Sequence, residues 1–302
     1  MVSTEATWLL VGCGYTATRL ARRLLADGAR VIATRRTDDA AAMTGEELGP
    51  QADVRVADLL LPQTLDGLIP DGATVVHSAP PAPVVEPGAA EEHLIAAAAA
   101  ARARRLVYVS STGVYGRGSG GEIDEDAPLA PTGPIGARRL EAERALIAAA
   151  RRAGLEVVSL RAAAIYGPHR GSHVSIASGS HRVPEGAGLV SRIHVDDLGS
   201  AILTAALAPR LPHTVFNVAD DEPTMARDYA DAVAALLGVP APPTVAPDRS
   251  SPAARELLGG DRRISNRRLV DDLGVALAYP TWREGLRQAL AEEERHGRAP
   301  TA

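Results

Sequence analysis

Short apolar runs alternate along the chain with longer alanine-rich segments whose apolar residues recur at helical spacing. The short runs have the length of buried strands, and the longer segments have the length of helices. The predicted strands are residues 7–11, 30–34, 54–57, 74–78, 106–110, 156–161 and 214–219. The predicted helices include residues 16–27, 89–104, 135–153, 197–208 and 225–237. This alternation predicts an α/β fold with a Rossmann-like, doubly wound parallel sheet.

A glycine-rich turn joins the first predicted strand to the first predicted helix. It reads G-x-G-x-x-A, with Gly12, Gly14 and Ala17 at the fixed positions and Tyr15 and Thr16 between the last two. Glycines at these positions permit a tight turn and a close approach of the backbone to a pyrophosphate, which the N-terminus of the helix attracts. The turn therefore predicts a dinucleotide-binding site, with a purely structural strand-to-helix turn as the alternative.

The end of the second predicted strand indicates which dinucleotide is bound. An NAD-selective site carries an acidic residue about twenty residues after the glycines, whereas this chain has Thr34, Arg35 and Arg36 there. Arginine matches a 2′-phosphate in charge and geometry. NADP(H) is therefore the preferred cofactor, with NAD(H) as the alternative. Asp58 closes the third predicted strand and is expected to face the adenine, although a helix cap would use the same residue.

Composition and charge narrow the range of partners. The formal net charge is −5, and the 32 basic residues are spread along the chain without a dense stripe, so a nucleic-acid partner is not expected. No apolar run approaches the roughly 20 residues that span a membrane, and the first residues show no leader, which predicts no membrane partner and a cytoplasmic location. The single cysteine, Cys13, argues against disulfides and structural zinc. The acidic residues Glu122, Asp124, Glu125 and Asp126 are typical of a solvated loop rather than a metal site. A small-molecule substrate is the expected partner.

The chain is predicted to divide into two regions. Residues 1–165 would form the dinucleotide-binding Rossmann domain, and residues 166–302 a mixed region with the remaining strands and a small C-terminal substrate lobe. Residues 171–191, rich in glycine, serine and histidine, and the proline-rich residues 240–252 have no clear period. Such segments are typical of loops that cover a pocket.

Four further segments carry a family resemblance, namely residues 75–81, 107–116, 160–168 and 192–197. Together they make the chain similar to the extended short-chain dehydrogenases/reductases, also called the NAD-dependent epimerase/dehydratase superfamily. The resemblance implies that Ser111 lies beside the nicotinamide and polarises the reacting carbonyl or hydroxyl group, whereas a serine that caps a strand-end turn is the alternative. It also implies cofactor contacts at Ser78, Ala79, Pro80, Ser110, Arg139 and Ala163.

The chain departs from this family at the acid/base pair. Family members carry Tyr-x-x-x-Lys at the start of the helix that follows the serine, and the matching residues here are Ile135 and Arg139. Isoleucine cannot transfer a proton. Arginine stays protonated in proteins, so Arg139 can hold ribose hydroxyls but cannot act as a base. The sequence contains no lysine at all, and the resemblance is therefore to atypical extended members.

A substitute proton donor has to come from another element. Tyr166 and His169 follow the sixth predicted strand, whose carboxyl end borders the nicotinamide in this fold, and they are the leading candidates besides water. Tyr115 and His194 are further candidates, although packing or helix capping explains these side chains as well.

Three functions fit these residues. The preferred one is an NADP(H)-dependent oxidoreductase that acts on a small oxygenated substrate, as a monomer or a homodimer. The second is a sugar-nucleotide-type epimerase or dehydratase in which the cofactor stays bound. The third, motivated by Ile135, is a non-catalytic NADP-binding sensor or scaffold, because function follows the site and not the fold.

Overall fold

A parallel sheet of seven strands carries the fold in the computed structural model, which describes residues 6–81, 88–118, 120–249, 251–258 and 260–295. The strands are β1 (Thr7–Val11), β2 (Arg30–Arg35), β3 (Asp53–Val56), β4 (Thr74–His77), β5 (Arg105–Ser111), β6 (Val157–Ala162) and β7 (Val215–Val218). Their order is β7-β6-β5-β4-β1-β2-β3, with the winding reversed between β1 and β4. Each predicted strand is present to within a residue at either end. The predicted α/β fold with a Rossmann-like sheet is confirmed.

The strand register brings the predicted cofactor residues to one edge of the sheet. Leu10 pairs with Ala33, and Val11 pairs with His77. Strands that are covered on both faces are apolar throughout, and residues 8–10 are accordingly fully buried. Because parallel strands end at the same edge, the turn after β1, the end of β2 and the residues after β4 meet there.

The helices lie between the strands and after the last one. They are α1 (Tyr15–Ala26), α2 (Asp38–Leu48), α3 (Ala89–Ala100), α4 (Pro134–Ala153), α5 (Ser172–Ala177), α6 (Val195–Leu207), α7 (Ala226–Leu237), α8 (Pro252–Leu258) and α9 (Trp282–Arg295). The residue ranges given for predicted helices do not include α2, α5, α8 and α9. In α2 only Thr44 and Leu48 are buried, so its sequence lacks the apolar period of an amphipathic helix.

The described chain separates into two compact units. The first comprises Met1–Ser110, Arg138–Arg161 and Gly199–Phe216, and its core packs apolar residues of the sheet against α3 and α4. A buried ion pair joins Glu143 and Arg161 at 2.6 Å, and Ser159 donates a hydrogen bond to the same carboxylate. The hydrogen bond from Ser159 matters because a buried carboxylate is tolerated only when its hydrogen bonds are made.

The second unit comprises Ser111–Ala137, Ala162–Leu198 and Asn217–Ala302. Its core contains Tyr166, Tyr229, Trp282 and Leu286, together with apolar residues of α5 and α7. Short strand pairs surround this core: Ala164–Tyr166 with Arg192–His194, Val183–Pro184 with Thr244–Val245, Leu189–Val190 with Thr224–Met225, and Glu122–Ile123 with Arg263–Ile264. The two units thus alternate along the chain, whereas the sequence predicts a single boundary after residue 165.

Candidate cofactor and catalytic site

A cavity of about 450 Å³ opens in the first unit at the carboxyl edge of the sheet. Its lining includes residues from the ends of β1, β2, β3 and β4, which the sequence analysis assigned to the cofactor: Gly12, Gly14, Arg35, Arg36, Asp58, Ala79 and Pro80. Clefts at this position of a doubly wound sheet are where ligands bind, because the strand winding reverses there. The structure therefore brings seven of the predicted cofactor residues around one cavity.

Gly12 is required by both conformation and space. Its φ angle is +76°, and a Cβ atom at this position would lie 2.5 Å from the Cβ atom of Ala79. Ser78 stabilises the same turn, because its hydroxyl donates a hydrogen bond of 3.0 Å to the Gly12 carbonyl oxygen. Gly14 is the N-cap of α1 and has no side chain, so Tyr15 and Thr16 begin a helix whose N-terminal N–H groups are approachable. This geometry fits a pyrophosphate.

Arg35 and Arg36 occupy different places at the end of β2. The Arg35 guanidinium donates a hydrogen bond of 2.6 Å from Nη1 to the carbonyl oxygen of Cys13. Arg36 is exposed and lines the cavity. On the adjacent strand end, the carboxylate of Asp58 accepts a hydrogen bond of 3.0 Å from the Leu60 backbone, so it shapes the turn as well as lining the cavity.

Two buried ionisable residues line the same cavity and were not assigned to it by the sequence analysis. They are His77 at the end of β4 and Glu91 in the first turn of α3, with 3.9 Å between Nε2 and Oε1. Burial lowers the pKa of His77, so the imidazole is neutral at pH 7. The strand-end position of His77, next to Ser78, is the signal from which its place could have been inferred.

Arg139 and Ser110 lie near the ends of β4 and β5 in the first unit. Arg139 Nη1 donates hydrogen bonds to the Tyr108 hydroxyl and to the Val109 carbonyl oxygen, each at 3.1 Å, with a longer contact of 3.4 Å to the Ala79 carbonyl oxygen. Burial raises the pKa of Tyr108 to about 12, so that hydroxyl stays protonated. Ser110 is buried, and its hydroxyl has no hydrogen-bond partner within the described ranges.

Ser111 begins the second unit. Its Oγ accepts a hydrogen bond of 3.1 Å from the Gly113 backbone and so caps the short 3₁₀ turn Thr112–Tyr115. The Tyr115 hydroxyl at the end of this turn donates a hydrogen bond of 2.7 Å to Asn217. This hydrogen bond joins two segments of the second unit. The Ser111 side chain is half-buried.

Tyr166 lies in the core of the second unit. It is 2% exposed, and a Cβ atom on Gly285 of α9 would overlap its hydroxyl oxygen. Among the described residues that hydroxyl has no hydrogen-bond partner, and burial raises its pKa. Ala163 lies three residues earlier, where its backbone donates a hydrogen bond of 2.9 Å to Val218.

His169 is placed differently, because its side chain is 43% exposed. Its backbone has a φ angle of +60°, which is uncommon outside glycine. Glu293 of α9 holds this conformation: its Oε1 accepts a hydrogen bond of 2.5 Å from the His169 backbone and lies 3.0 Å from Nε2 of His173. This contact could not be predicted from the sequence, because Glu293 has the pattern of an exposed residue at a helix end.

Neither a metal-binding cluster nor a membrane-spanning helix is found among the described residues. No group of three or more histidine, cysteine or carboxylate side chains in residues 6–295, gaps aside, could hold a metal ion. No described helix is both long enough and apolar enough to cross a membrane.

A glycine turn between β1 and α1, over a doubly wound parallel sheet with a cavity at its carboxyl edge, defines the class of Rossmann-type dinucleotide-binding proteins. The match to a family model is more specific. Residues 8–219 match the model described as the NAD dependent epimerase/dehydratase family. The chain belongs to this family, and it is an NAD(P)-dependent enzyme.

Similar proteins come from several bacteria. A 3-diazoavenalumate denitrifying reductase of a Streptomyces species is 33% identical over 64% of this chain and 67% of its own length. A UDP-glucose 4-epimerase of Streptomyces lividans is 28% identical over 59% of this chain and 64% of its own. A solved structure of a functionally unknown conserved protein from Silicibacter pomeroyi has a TM-score of 0.79 and 34% identity, over 96% of this chain and all of that one. The chain thus spans about two thirds of the length of both enzymes.

Proposed function

We propose that the chain is an NADP(H)-dependent oxidoreductase of the atypical extended type, acting on a small oxygenated substrate. The observation that carries the proposal is the presence of Arg35 and Arg36 at the edge of the cavity that Gly12 and Gly14 line. An NAD-selective site would place a carboxylate there for the ribose hydroxyls. Two guanidinium groups instead favour the 2′-phosphate of NADP(H).

Arg35 and Arg36 have different roles in cofactor binding. Arg35 is hydrogen-bonded to Cys13 and stiffens the glycine turn. Arg36 is exposed at the rim of the cavity, and it supplies the contact with the 2′-phosphate. Asp58, which lines the cavity from the adjacent strand end, faces the adenine.

Bound NADP(H) would supply or accept the hydride. Ser111, half-exposed at the end of β5, polarises the substrate carbonyl by donating a hydrogen bond to its oxygen. Arg139 stays charged and holds ribose hydroxyls as well as the ends of β4 and β5. For the proton, His169 offers an exposed imidazole, whereas the Tyr166 hydroxyl is enclosed by α9. His169 or water therefore donates the proton, because a substrate can reach either of them, whereas the Tyr166 hydroxyl is buried against α9.

Turnover tests this function. The purified protein is incubated with NADPH and a panel of aldehydes, ketones and keto acids, and absorbance at the NADPH band is followed. We expect oxidation of NADPH with at least one carbonyl compound, and a loss of roughly 100-fold or more for Ser111→Ala with cofactor affinity retained. Ser180→Ala, which changes an exposed serine of the second unit, is the matched control. Unaltered turnover in Ser111→Ala would remove Ser111 from the mechanism.

A sugar-nucleotide epimerase or dehydratase is the second candidate. The similarity to a UDP-glucose 4-epimerase favours it. Transient oxidation of a hydroxyl would require a base in place of Ile135, which counts against it. Interconversion of UDP-glucose and UDP-galactose without added cofactor, by protein that retains nucleotide through purification, would support this function over the first.

We also propose that the enzyme acts in the cytoplasm as a monomer or homodimer on a small-molecule substrate. The net charge of −5 gives no basis for nucleic-acid binding. Light scattering during size-exclusion chromatography distinguishes the two oligomeric states.

A further inference from the structure

Two ionisable side chains line the cofactor cavity without a hydrogen bond between them. They are His77, which is 1% exposed at the end of β4, and Glu91, which is 4% exposed in the first turn of α3. Nε2 of His77 lies 3.9 Å from Oε1 of Glu91, which is beyond hydrogen-bond distance. Neither nitrogen of the imidazole ring has a hydrogen-bond partner among the described residues. Buried polar groups are nearly always hydrogen-bonded, so this pair differs from ordinary core residues.

The pair lies beside the glycine turn. In the strand register His77 is the partner of Val11, which directly precedes Gly12, and neighbouring strands are about 4.8 Å apart. The two residues that follow His77 contact the turn, Ser78 through its hydrogen bond to the Gly12 carbonyl oxygen and Ala79 by packing on Gly12. A dinucleotide held by this turn would therefore bring its negative charge into the cavity that the pair lines.

Other charged and titratable groups also face the pair. The ring of Tyr108 on β5 lies 5.1 Å from the His77 ring, and its hydroxyl accepts a hydrogen bond from Arg139 of α4. Burial lowers the pKa of His77, and the charge of Arg139 lowers it further, whereas Glu91 raises it. The remaining charged residues of the cavity lining are Arg35, Arg36 and Asp58. His77 is therefore neutral at pH 7, and the positive end of α3 favours the ionised form of Glu91.

Entry of a cofactor changes the balance of charge in the cavity. A dinucleotide brings a pyrophosphate, and NADP(H) adds a 2′-phosphate of about −1.5 to −2 charge. Negative charge close to a titratable group favours its protonated form, and the loss of water around a carboxylate acts in the same direction. Neutral His77 and ionised Glu91 together carry one negative charge, which a single proton would remove.

We infer that His77 and Glu91 belong to the cofactor site, and that the pair takes up one proton from solvent as the cofactor binds. The inference rests on the proposed function. The proton adds to the imidazole or to the carboxylate, no covalent bond of the cofactor changes, and the proton returns to solvent when the cofactor leaves. It is separate from the proton that His169 or water gives to the substrate.

Calorimetric titration counts this proton. NADPH is titrated into the protein at pH 7 in PIPES and in Tris buffer, whose ionisation enthalpies differ, and the difference in observed enthalpy gives the number of protons taken up. Glu91→Gln removes the titratable carboxylate with little change in shape. Glu92→Gln, at the next and exposed residue of α3, makes the same change of charge outside the cavity lining and is the matched control. Thermal unfolding shows whether each variant is folded.

The wild type and Glu92→Gln are expected to take up roughly one proton per NADPH, and Glu91→Gln close to none. Because lower pH favours proton uptake, the affinity of the wild type for NADPH should fall as the pH rises from 7 to 8, by up to about tenfold. The affinity of Glu91→Gln should stay nearly constant over this range. Any proton that the 2′-phosphate itself exchanges is common to all three proteins and cancels in the comparison.

The outcomes separate the inference from the proposed function. If the wild type binds NADPH with the same proton uptake as Glu91→Gln, the inference is overturned, whereas the cofactor proposal stands. If Glu91→Gln does not fold, the pH series of the wild type decides, and an affinity that does not fall from pH 7 to pH 8 overturns the inference. If the wild type binds neither NADPH nor NADP⁺, the proposed function fails and the inference fails with it.

Discussion

Arg35 Nη1 lies 2.6 Å from the carbonyl oxygen of Cys13, so the last residue of β2 is hydrogen-bonded to the middle of the glycine turn after β1. The contact joins two strand ends that must keep a fixed spacing around a dinucleotide. Arg35 therefore contributes to the shape of the turn whether or not the cofactor carries a 2′-phosphate.

Replacement of Arg35 by serine is expected to weaken binding of both phosphorylated and unphosphorylated cofactors. Loss of a hydrogen bond from a charged donor should also lower the free energy of unfolding by about 1 to 3 kcal/mol. Urea unfolding and calorimetric titration check the two effects. A variant that loses NADPH affinity alone would show that Arg35 contacts only the 2′-phosphate.

Gly12→Ala is expected to be more harmful than Gly49→Ala. Both glycines have a φ angle of +76°, but a Cβ atom would meet Ala79 at position 12 and nothing within 4 Å at position 49. Each substitution incurs backbone strain of about 1 to 2 kcal/mol, and Gly12→Ala adds a clash inside the cofactor turn. Unfolding curves and NADPH titrations of the two variants measure this difference. Equal losses in both would mean that the contact with Ala79 relaxes without effect.

Tyr166→Phe is expected to leave the protein as stable as the wild type, or more stable by up to about 1 kcal/mol. The substitution removes a buried hydroxyl that has no hydrogen-bond partner among the described residues. Gly285→Ala should instead lower stability by about 1 to 3 kcal/mol because the new methyl group would overlap that hydroxyl. Combining the two substitutions should recover part of the loss, which thermal unfolding of the single and double variants measures. A large loss of stability in Tyr166→Phe would show that the buried hydroxyl makes a stabilising contact. A loss of turnover without a loss of stability would instead make Tyr166 the proton donor.

Asp220 should make stability depend on pH. Burial raises the pKa of its carboxyl group well above the usual value. Below pH 4 the group is protonated in both the folded and the unfolded state, whereas at higher pH only the unfolded state ionises freely, so stability falls as the pH rises toward the folded pKa. Asp220→Asn is therefore expected to gain stability relative to the wild type as the pH rises above the unfolded pKa of about 3.9. Urea unfolding at several pH values checks this, and a stability difference that does not change with pH would contradict it.

The sheet and the cofactor edge were predictable from the sequence because their signals are local. The run Leu9–Val11 leads directly into Gly12 and Gly14, and Arg35 and Arg36 close the next strand within the same sequence neighbourhood. Helix α2 was missed because it buries only Thr44 and Leu48. Glu293 was beyond prediction for another reason: it contacts backbone more than a hundred residues away, and a single sequence contains no pattern that pairs such positions.

Selection of NADP(H) by Arg36 is tested most directly by calorimetric titration of the wild type and Arg36→Ser with NADPH, NADP⁺, NADH and NAD⁺. The proposed function predicts tighter binding of the phosphorylated pair by the wild type. It also predicts that Arg36→Ser loses roughly tenfold to 100-fold in affinity for that pair only, as expected for one charge-assisted contact with a phosphate. Binding of none of the four by the wild type, or a preference for NADH that Arg36→Ser leaves unchanged, would contradict it.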